Sequence, residues 1–282
     1  MRQKKPKISS LFFSVPDKAQ PHVSHPASGS HLQSGMLPAL AIFIAISTSA
    51  LAQSIFETRF NDTTDLKLQN GARLTVTGDG VSGQLGDKAY SADISTAPKA
   101  SALITGGPGP ISGVDEFTIT VWYKPKAGQA GPVELFNAFG TLLIWEPDKN
   151  YWTLRVEARP LNPATKMYWF FTGKPPTGSW ITPGEWTFIA MVWKKSDKAV
   201  SFYRGGKIDQ VADIHVATRP DEVESLAEPQ VPKRMIGNDP LRPERAFNGE
   251  IDDFRMFSKA LEKDDLEKIR AADVKNEATS LP

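Results

Sequence analysis

The stretch that decides the fold is Phe247-Asn-Gly-Glu-Ile-Asp-Asp-Phe-Arg-Met-Phe-Ser-Lys-Ala-Leu261. Apolar residues occur on both sides of an extended chain from about Glu250 to Phe257, so this segment is predicted to be a buried β-strand. In a regular strand Ile251 and Phe257 share one face, and the other face carries Asp252, Phe254 and Met256. After the strand, Ser258 is the predicted N-cap of a short C-terminal helix, because apolar residues follow it at helical spacing.

The chain from Ile55 onward has the pattern of short strands and turns, with almost no helical period before its end. Phe117–Tyr123 alternates its residue types and is predicted to be a strand. Trp186–Trp193 is apolar on both faces, as expected for a strand inside a two-layer sandwich. The fold class is therefore predicted to be all-β.

Two segments are predicted to be a turn and a loop. Gly205-Gly206 separates two strand candidates, and a pair of glycines permits the positive φ of a tight hairpin turn. Residues 209–233 carry proline and charge with little period, so we expect a long surface loop there.

Three motifs resemble one family. The stretch FNGEIDDFRMFSKAL is similar to the closing strand of laminin-G-like, concanavalin A-type lectin/glucanase jelly rolls, in which a Gly-x-Ile-Asp-Asp strand leads into an Ala-Leu helix start. Phe117-Thr-Ile-Thr-Val-Trp122 resembles the family's Phe-Thr-Ile-x-x-Trp strand, and Met235-Ile-Gly-Asn238 resembles its short Ile-Gly strand. The resemblance covers roughly Phe56 to Ala271. It implies a two-sheet antiparallel β-sandwich (a jelly roll) with a short C-terminal helix, but it does not name a ligand.

The N-terminus has a different composition. Residues 1–35 are rich in Ser, Pro, His and Lys and predict a disordered extension. An apolar run at 36–46 followed by Ala50-Leu51-Ala52 has the layout of a secretory signal peptide cleaved after Ala52. The run is shorter than the ~20 residues of a membrane span, so membrane attachment through an uncleaved segment is the weaker alternative. Translation starts either at Met1 or near Met36. The predicted divisions are an extension with signal peptide at 1–52, one jelly-roll domain at 53–275 and a tail at 276–282.

Removal of residues 1–52 changes the net charge. Lysine plus arginine falls from 33 to 28 and Asp plus Glu from 32 to 31, so the net charge changes from +1 to 28 − 31 = −3. No basic patch is visible, which argues against nucleic acid as a partner. The chain has no cysteine, so an exported form must be stabilised by its core, without disulfides.

The closing strand lacks the residues for glycoside hydrolysis. Some glycosidases of this fold use Glu-x-Asp-x-Glu or Glu-x-Asp-x-x-Glu, and Glu250 and Asp252 match its first two positions. The third position is Phe254 or Arg255, and neither can act as the acid/base that the reaction requires. His215, the one histidine after residue 52, has no evident nucleophile beside it, and zinc would need several His or Cys ligands. We therefore predict that the module is not an enzyme and requires no cofactor.

Calcium is a candidate metal because its ligands are oxygen atoms. Many relatives hold a structural calcium ion between the loop after the first strand and the closing strand. On that resemblance the candidate ligands are Asp62 and Asp252, with Asn61 beside them. The alternative is that Asp252 or Asp253 accepts backbone hydrogen bonds and fixes the end of the strand.

Aromatic residues are the best argument for a binding role. All seven tryptophans follow residue 52, and a dense group lies between 151 and 180. Aromatic rings stack on the apolar face of sugars, so the candidate ligand-binding residues are Trp169, Trp180, Tyr168 and Trp152. The alternative is that most of these rings belong to the core.

The sequence therefore predicts an exported, non-catalytic recognition module that is secreted, periplasmic or at the cell surface. Its most favoured ligand is carbohydrate. The alternatives are a protein-binding or adhesion module that binds an extracellular protein at the cell surface, and a glycoside hydrolase-like enzyme. A groove with aromatic residues would favour the first function, and an exposed strand edge the second.

Overall fold

The structure is a computed structural model of the 282-residue chain. The chain divides into two units, and the one described here is Thr48–Pro282. Among the described residues, no helix is long and apolar enough to cross a membrane. The structure describes residues 54–93, 95–97, 99–105, 114–129, 132–138, 141–149, 151–160, 167–173, 181–218, 223–226, 234–237, 245 and 247–276. The predicted extension, signal peptide and tail lie outside these residues.

The described residues form β-strands and one α-helix. The strands are β1 (Ser54–Thr58), β2 (Leu66–Gln69), β3 (Arg73–Leu74), β4 (Tyr90–Ala92), β5 (Ser101–Ile104), β6 (Glu116–Pro125), β7 (Val133–Ala138), β8 (Thr141–Glu146), β9 (Tyr151–Pro160), β10 (Met167–Gly173), β11 (Thr187–Lys194), β12 (Ala199–Gly206), β13 (Ala212–Thr218), β14 (Val223–Leu226), β15 (Arg234–Gly237) and β16 (Gly249–Phe257). The helix is α1 (Lys263–Lys275).

The strands form two eight-stranded antiparallel sheets. The first sheet has the order β13-β12-β11-β6-β16-β4-β3, with β1 also paired to β16. The second sheet has the order β10-β9-β8-β7-β15-β5-β2, with β14 also paired to β9. The predicted two-sheet β-sandwich with a short C-terminal helix is therefore confirmed, and the closing strand β16 lies inside the first sheet.

Apolar side chains fill two regions. The interior lies between the sheets and contains, for example, Ile119 of β6 and Leu154 of β9. A second group, the outer cluster, joins Trp122 of β6 and Phe188 of β11 to Leu266 and Ile269 of α1. Both helix residues are fully buried, and each stabilises the fold by roughly 1.5–3 kcal/mol. The helix thus covers the outer face of the first sheet.

One β-bulge interrupts β16. Asp252 is opposite Trp122 and Arg255 is opposite Thr120, so three residues of β16 advance against two of β6. Asp253, within the bulge, has a φ of 45°. The extra residue reverses the alternation of side chains, so that Ile251 belongs to the interior and Phe257 to the outer cluster. The prediction that these two residues share a face is therefore wrong.

The prediction that Gly205 and Gly206 form a turn through positive φ angles is also wrong. Gly205 and Gly206 are the last residues of β12, and neither has a positive φ. The chain reverses just beyond them, where the Gly206 N–H donates to the carbonyl oxygen of Asp209 (2.9 Å). A Cβ atom at position 205 would lie 2.8 Å from Cδ of Arg270 on α1. Glycine is therefore needed there for the close approach of the helix.

Two further predictions need correction. The predicted loop at 209–233 contains β13 and β14, and exposed His215 lies in β13. The helix begins at Lys263 with Glu262 as its N-cap, four residues after the predicted N-cap Ser258. Sequence period misses β13 because it is an edge strand with mostly exposed residues.

Candidate functional site

The carboxylate of Asp252 is fully buried on the outer side of the first sheet. Its register partner Trp122 belongs to the outer cluster, and Asp252 has no exposed surface. Its Oδ2 accepts a hydrogen bond from the Val81 N–H (2.8 Å), and its Oδ1 accepts one from the Asp253 N–H (2.8 Å). This side chain therefore connects the bulge to the segment around Val81, which agrees with the alternative that it fixes the strand end.

Arg255 is the buried centre of a charge network that consists of Glu57, Arg59, Asp253, Arg255 and Asp273, of which Glu57 is exposed and Arg59 half-buried. Its Nη1 donates to Asp273 Oδ2 (3.0 Å), and its Nη2 lies 2.8 Å from Asp273 Oδ1. The same Nη2 donates to Asp253 Oδ1 (2.9 Å), and Nε lies 3.0 Å from Glu57 Oε1. Because Asp273 is on α1, the network fastens the helix to β16 and to β1.

Two contacts extend the charge network. The indole Nε1 of Trp122 donates to Asp273 Oδ2 (2.8 Å). Arg59 donates to Glu57 (3.0 Å) and lies 3.7 Å from Asp253 Oδ1. The two arginines thus face two buried carboxylates and exposed Glu57, and a further buried carboxylate, Asp252, receives only backbone N–H groups among the described hydrogen bonds. The region therefore carries an excess of negative charge.

Burial and this charge excess shift the pKa values. Burial raises the pKa of Asp253 to about 7, although Arg255 and Arg59 act against the shift. Burial, with the nearby charges of Asp253 and Asp87, raises the pKa of Asp252 well above its usual value. For Asp273 burial also outweighs Arg255, so its pKa is raised. Burial alone would raise the pKa of Glu57, but Arg255 and Arg59 together lower it.

The closing strand does not present a carboxylate pair to a substrate. Glu250 is paired with Lys124, and Asp252 lies beneath Val81 on the side of the sheet that faces the helix. A glycosidase needs two accessible carboxyl groups on either side of the bond. Glu250 and Asp252 do not form that arrangement, and a non-catalytic role stays a prediction.

Two candidate calcium ligands, Asn61 and Asp62, are adjacent in the loop after β1, and the third, Asp252, is in β16. Asn61 Oδ1 accepts a hydrogen bond from the Lys88 N–H (2.9 Å), and exposed Asp62 accepts one from the Thr64 N–H (2.9 Å). Among the described residues, no group of three His, Asp or Glu side chains is placed to hold a metal ion. Asp252 is buried with both oxygens already accepting hydrogen bonds. These three side chains do not form a ready site in this geometry, and calcium stays a prediction.

The structure places the candidate aromatic residues differently. Trp152 is fully buried in the interior, as the alternative of a core position predicts. Tyr168 and Trp169 are in β10, the edge strand of the second sheet, opposite Glu157 and Val156 of β9. Trp180 lies outside the described residues. A ligand platform at the three remaining residues stays a prediction.

A set of buried hydrogen-bond donors was missed by the sequence analysis. We call it the donor cluster: Tyr123, Trp145, Trp152 and Arg204. The Oη of Tyr123, the Nε1 atoms of both tryptophans and the Nε of Arg204 are buried and have no hydrogen-bond partner among the described residues. Buried polar groups are nearly always paired, so four such atoms require an explanation.

The rings of the donor cluster lie at one end of the sandwich. Tyr123, near the end of β6, has its ring centroid 5.7 Å from that of Trp145 and 6.1 Å from that of Trp152. Arg204, near the end of β12, is opposite Ile189, an interior residue, so it also faces inward. Arg204 could have been noticed in the sequence because it lies two and four residues after Phe202 and Val200. This spacing places a charged residue on the apolar face of the strand.

The chain was compared with known proteins. The family model described as the concanavalin A-like lectin/glucanases superfamily (Laminin_G_3) matches residues 99–267. This match spans more than half of the chain, so the protein belongs to this family, as its motifs predict. Comparison with curated proteins gives no match.

Several solved structures are similar to this chain at low identity. Domain 4 of AbnA, a GH43 extracellular arabinanase from Geobacillus stearothermophilus solved with arabinotriose, is 18% identical (TM-score 0.44), covering 78% of this chain and 99% of that one. The CBM40 of the Ruminococcus gnavus IT-sialidase, bound to α2,3 sialyllactose, is 14% identical (TM-score 0.35), covering 56% and 83%. A heptameric SAP-like pentraxin from Limulus polyphemus is 13% identical (TM-score 0.39), covering 60% and 76%.

Proposed function

We propose that the chain is an exported, non-catalytic recognition module that binds carbohydrate. Membership of a lectin/glucanase family supports a lectin-like role. The observation that carries the proposal is the position of the aromatic stretch Tyr168–Phe171 in β10, at the edge of the second sheet. An edge strand is where a ligand can approach a sheet, and aromatic residues are the usual stacking surface for sugars.

The strand register suggests which residues form the platform. Glu157 is opposite Tyr168 and Arg155 is opposite Phe170, whereas Val156 is opposite Trp169 and Leu154 is opposite Phe171. Opposite residues belong to the same face of a sheet. One face therefore combines aromatic with charged residue types, and the other combines aromatic with apolar types. The first combination is the one that suits a ligand with hydroxyl groups.

The glycan-binding proposal is tested on residues 53–282 with a glycan array followed by calorimetry. We expect binding to a defined glycan class, weakened about twofold to tenfold by Tyr168→Ala because one stacked aromatic ring contributes about 0.5–1.5 kcal/mol. Trp169→Ala and Trp180→Ala test the other two candidates.

Two results would count against this proposal. Tyr203→Ala, on the outer side of the first sheet, is the matched control and should bind as the unchanged protein does. No binding by a folded chain to any arrayed glycan would contradict the proposed ligand class. Binding that survives all three β10-region substitutions would place the site elsewhere.

A structural calcium ion is a separate proposal, which rests on the family resemblance of Asp62 and Asp252. If calcium binds the native state, thermal unfolding with millimolar calcium should occur at a higher temperature than with a chelator. Asp62→Asn should remove that difference, and Asp79→Asn, in a neighbouring turn, should not. Equal unfolding temperatures in calcium and chelator would contradict it.

A protein-binding function is the alternative. It is favoured by β13, an edge strand of the first sheet with exposed Val216, and by nearby Ile208, which is 92% exposed. An exposed strand edge can accept a strand from a partner. The bulge between β12 and β13 and the charge of Asp213 act against such pairing, so carbohydrate remains the favoured ligand.

A further inference from the structure

Asn70-Gly71 forms the turn that leads from β2 to β3. Both residues have a positive φ, 55° at Asn70 and 87° at Gly71, and the Ala72 N–H donates to the carbonyl oxygen of Gln69 (3.0 Å). Asn-Gly is the preferred pair for a tight turn with two positive φ angles. Because β2 lies at one end of the second sheet and β3 at one end of the first, the turn joins the two sheets at an edge of the sandwich.

The side chain of Asn70 and the backbone nitrogen of Gly71 are accessible to solvent. Both residues are exposed, and the described hydrogen bonds include none from either group. β3 has only two residues, of which Arg73 is exposed and Leu74 half-buried. Little buried surface therefore holds this turn closed, and local opening should cost little free energy.

The chain contains one other Asn-Gly pair, Asn248-Gly249, which provides an internal comparison. Both residues are buried. Gly249 is the first residue of β16 and is paired with β4 on one side and with β6 on the other. A Cβ atom on Gly249 would clash with the carbonyl oxygen of Lys124. The same two residue types are therefore held tightly between two strands.

We propose that Asn70 is a site of spontaneous deamidation through a cyclic imide. The backbone nitrogen of Gly71 attacks Cγ of Asn70 and closes a five-membered ring. The new N–Cγ bond forms, the Cγ–Nδ2 bond breaks, and the proton of the Gly71 N–H leaves with the amide as ammonia. Water then opens the ring at either carbonyl carbon and gives aspartate or isoaspartate. One water molecule is consumed and one ammonia is released, so the reaction needs no oxidant, reductant or cofactor.

The two products change the turn in different ways. Each adds one negative charge at the edge formed by β2 and β3, and isoaspartate also adds one carbon atom to the backbone between residues 70 and 71. Because a two-residue turn has a fixed length, isoaspartate should break the hydrogen bond between Ala72 and Gln69. The inference is independent of the proposed carbohydrate function, since β10 lies at the opposite end of the second sheet.

Peptide mass spectrometry on residues 53–282 tests the proposal. Trypsin releases Asn70 in peptide 68–73 and Asn248 in peptide 246–255. During incubation of the folded protein at pH 7, peptide 68–73 should convert to aspartyl and isoaspartyl forms at least about tenfold faster than peptide 246–255 reacts, because the exposed turn opens more easily than the buried strand. In urea the two pairs should react at similar rates. Digestion in water enriched in heavy oxygen marks any deamidation that occurs during the digest itself.

Asn70→Gln is the matched control. It keeps the side-chain amide but would need a six-membered ring, so peptide 68–73 should keep its mass. The same variant measures any reaction of Gln69, which is in the same peptide, and a gain in mass as fast as in the unchanged protein would overturn the assignment to Asn70. Similar rates at Asn70 and Asn248 in the folded protein would also overturn the proposal. So would an unreacted Asn70 in folded protein once the sample in urea has reacted completely.

Discussion

Replacing Arg255 by methionine is expected to destabilise the domain by about 3–5 kcal/mol, because removing one partner of a buried ion pair leaves the other charges uncompensated. Arg255 is 1% exposed and contacts Glu57, Asp253 and Asp273, which come from three parts of the chain. Methionine fills a similar volume but offers no donor. Urea unfolding at pH 7, followed by circular dichroism, measures the loss.

Two companion variants sharpen this test. Arg73→Met, on the exposed surface of β3, should change the free energy of unfolding by no more than about 0.5 kcal/mol. Adding Asp253→Asn to Arg255→Met should recover part of the loss, because it removes one of the stranded charges. A loss below about 1 kcal/mol for Arg255→Met would mean that Arg255 does not hold the network together.

The fold class could be predicted from local patterns, because several strands of this sandwich show alternation or apolar residues on both faces, although edge strand β13 does not. β16, β6 and β11 have such patterns, and the motifs of β16 and β6 also carry the family resemblance. The bulge at Asp253 could not be predicted in this way. An aspartate tolerates a positive φ, but the sequence gives no sign that it adopts one until its pairing with β6 is known.

The candidate sites were less predictable because they depend on contacts between distant residues. Whether Trp152 is a surface or a core residue depends on which face of β9 meets the first sheet. In the structure it lies in the core with Leu154 and Tyr123. The two-residue spacing of Arg204 from Phe202 does indicate that both lie on the same face of β12. That this face points inward is known only once the position of the second sheet is known.

Stability should fall as pH rises from 5 to 8, the reverse of ordinary acid denaturation. The pKa of Asp253 is raised by burial from 3.8 to about 7. Between these pH values the folded state holds a proton that the unfolded state has lost. The contribution of Asp253 to the free energy of unfolding is therefore full below pH 3.8 and declines as the pH rises towards 7. The raised pKa values of Asp252 and Asp273 act in the same direction. The pKa of Glu57 is lowered from 4.5, so its stabilisation is complete throughout this window and is lost only at lower pH.

Asp253→Asn isolates this contribution in a series of urea unfolding curves. For one group the free energy of unfolding should decline by about 1.4 kcal/mol per pH unit up to the folded pKa, and the substitution should reduce the slope between pH 5 and 7 by about that amount. The amide can still accept a hydrogen bond from Arg255, so the charge network is retained with one negative charge fewer. Asp115→Asn, on an exposed ion pair with Lys195, should leave the slope as it is. An unchanged slope in Asp253→Asn would show that the excess proton is held by another carboxylate, and a wild-type stability that rises over this range would show that the buried network holds no excess proton.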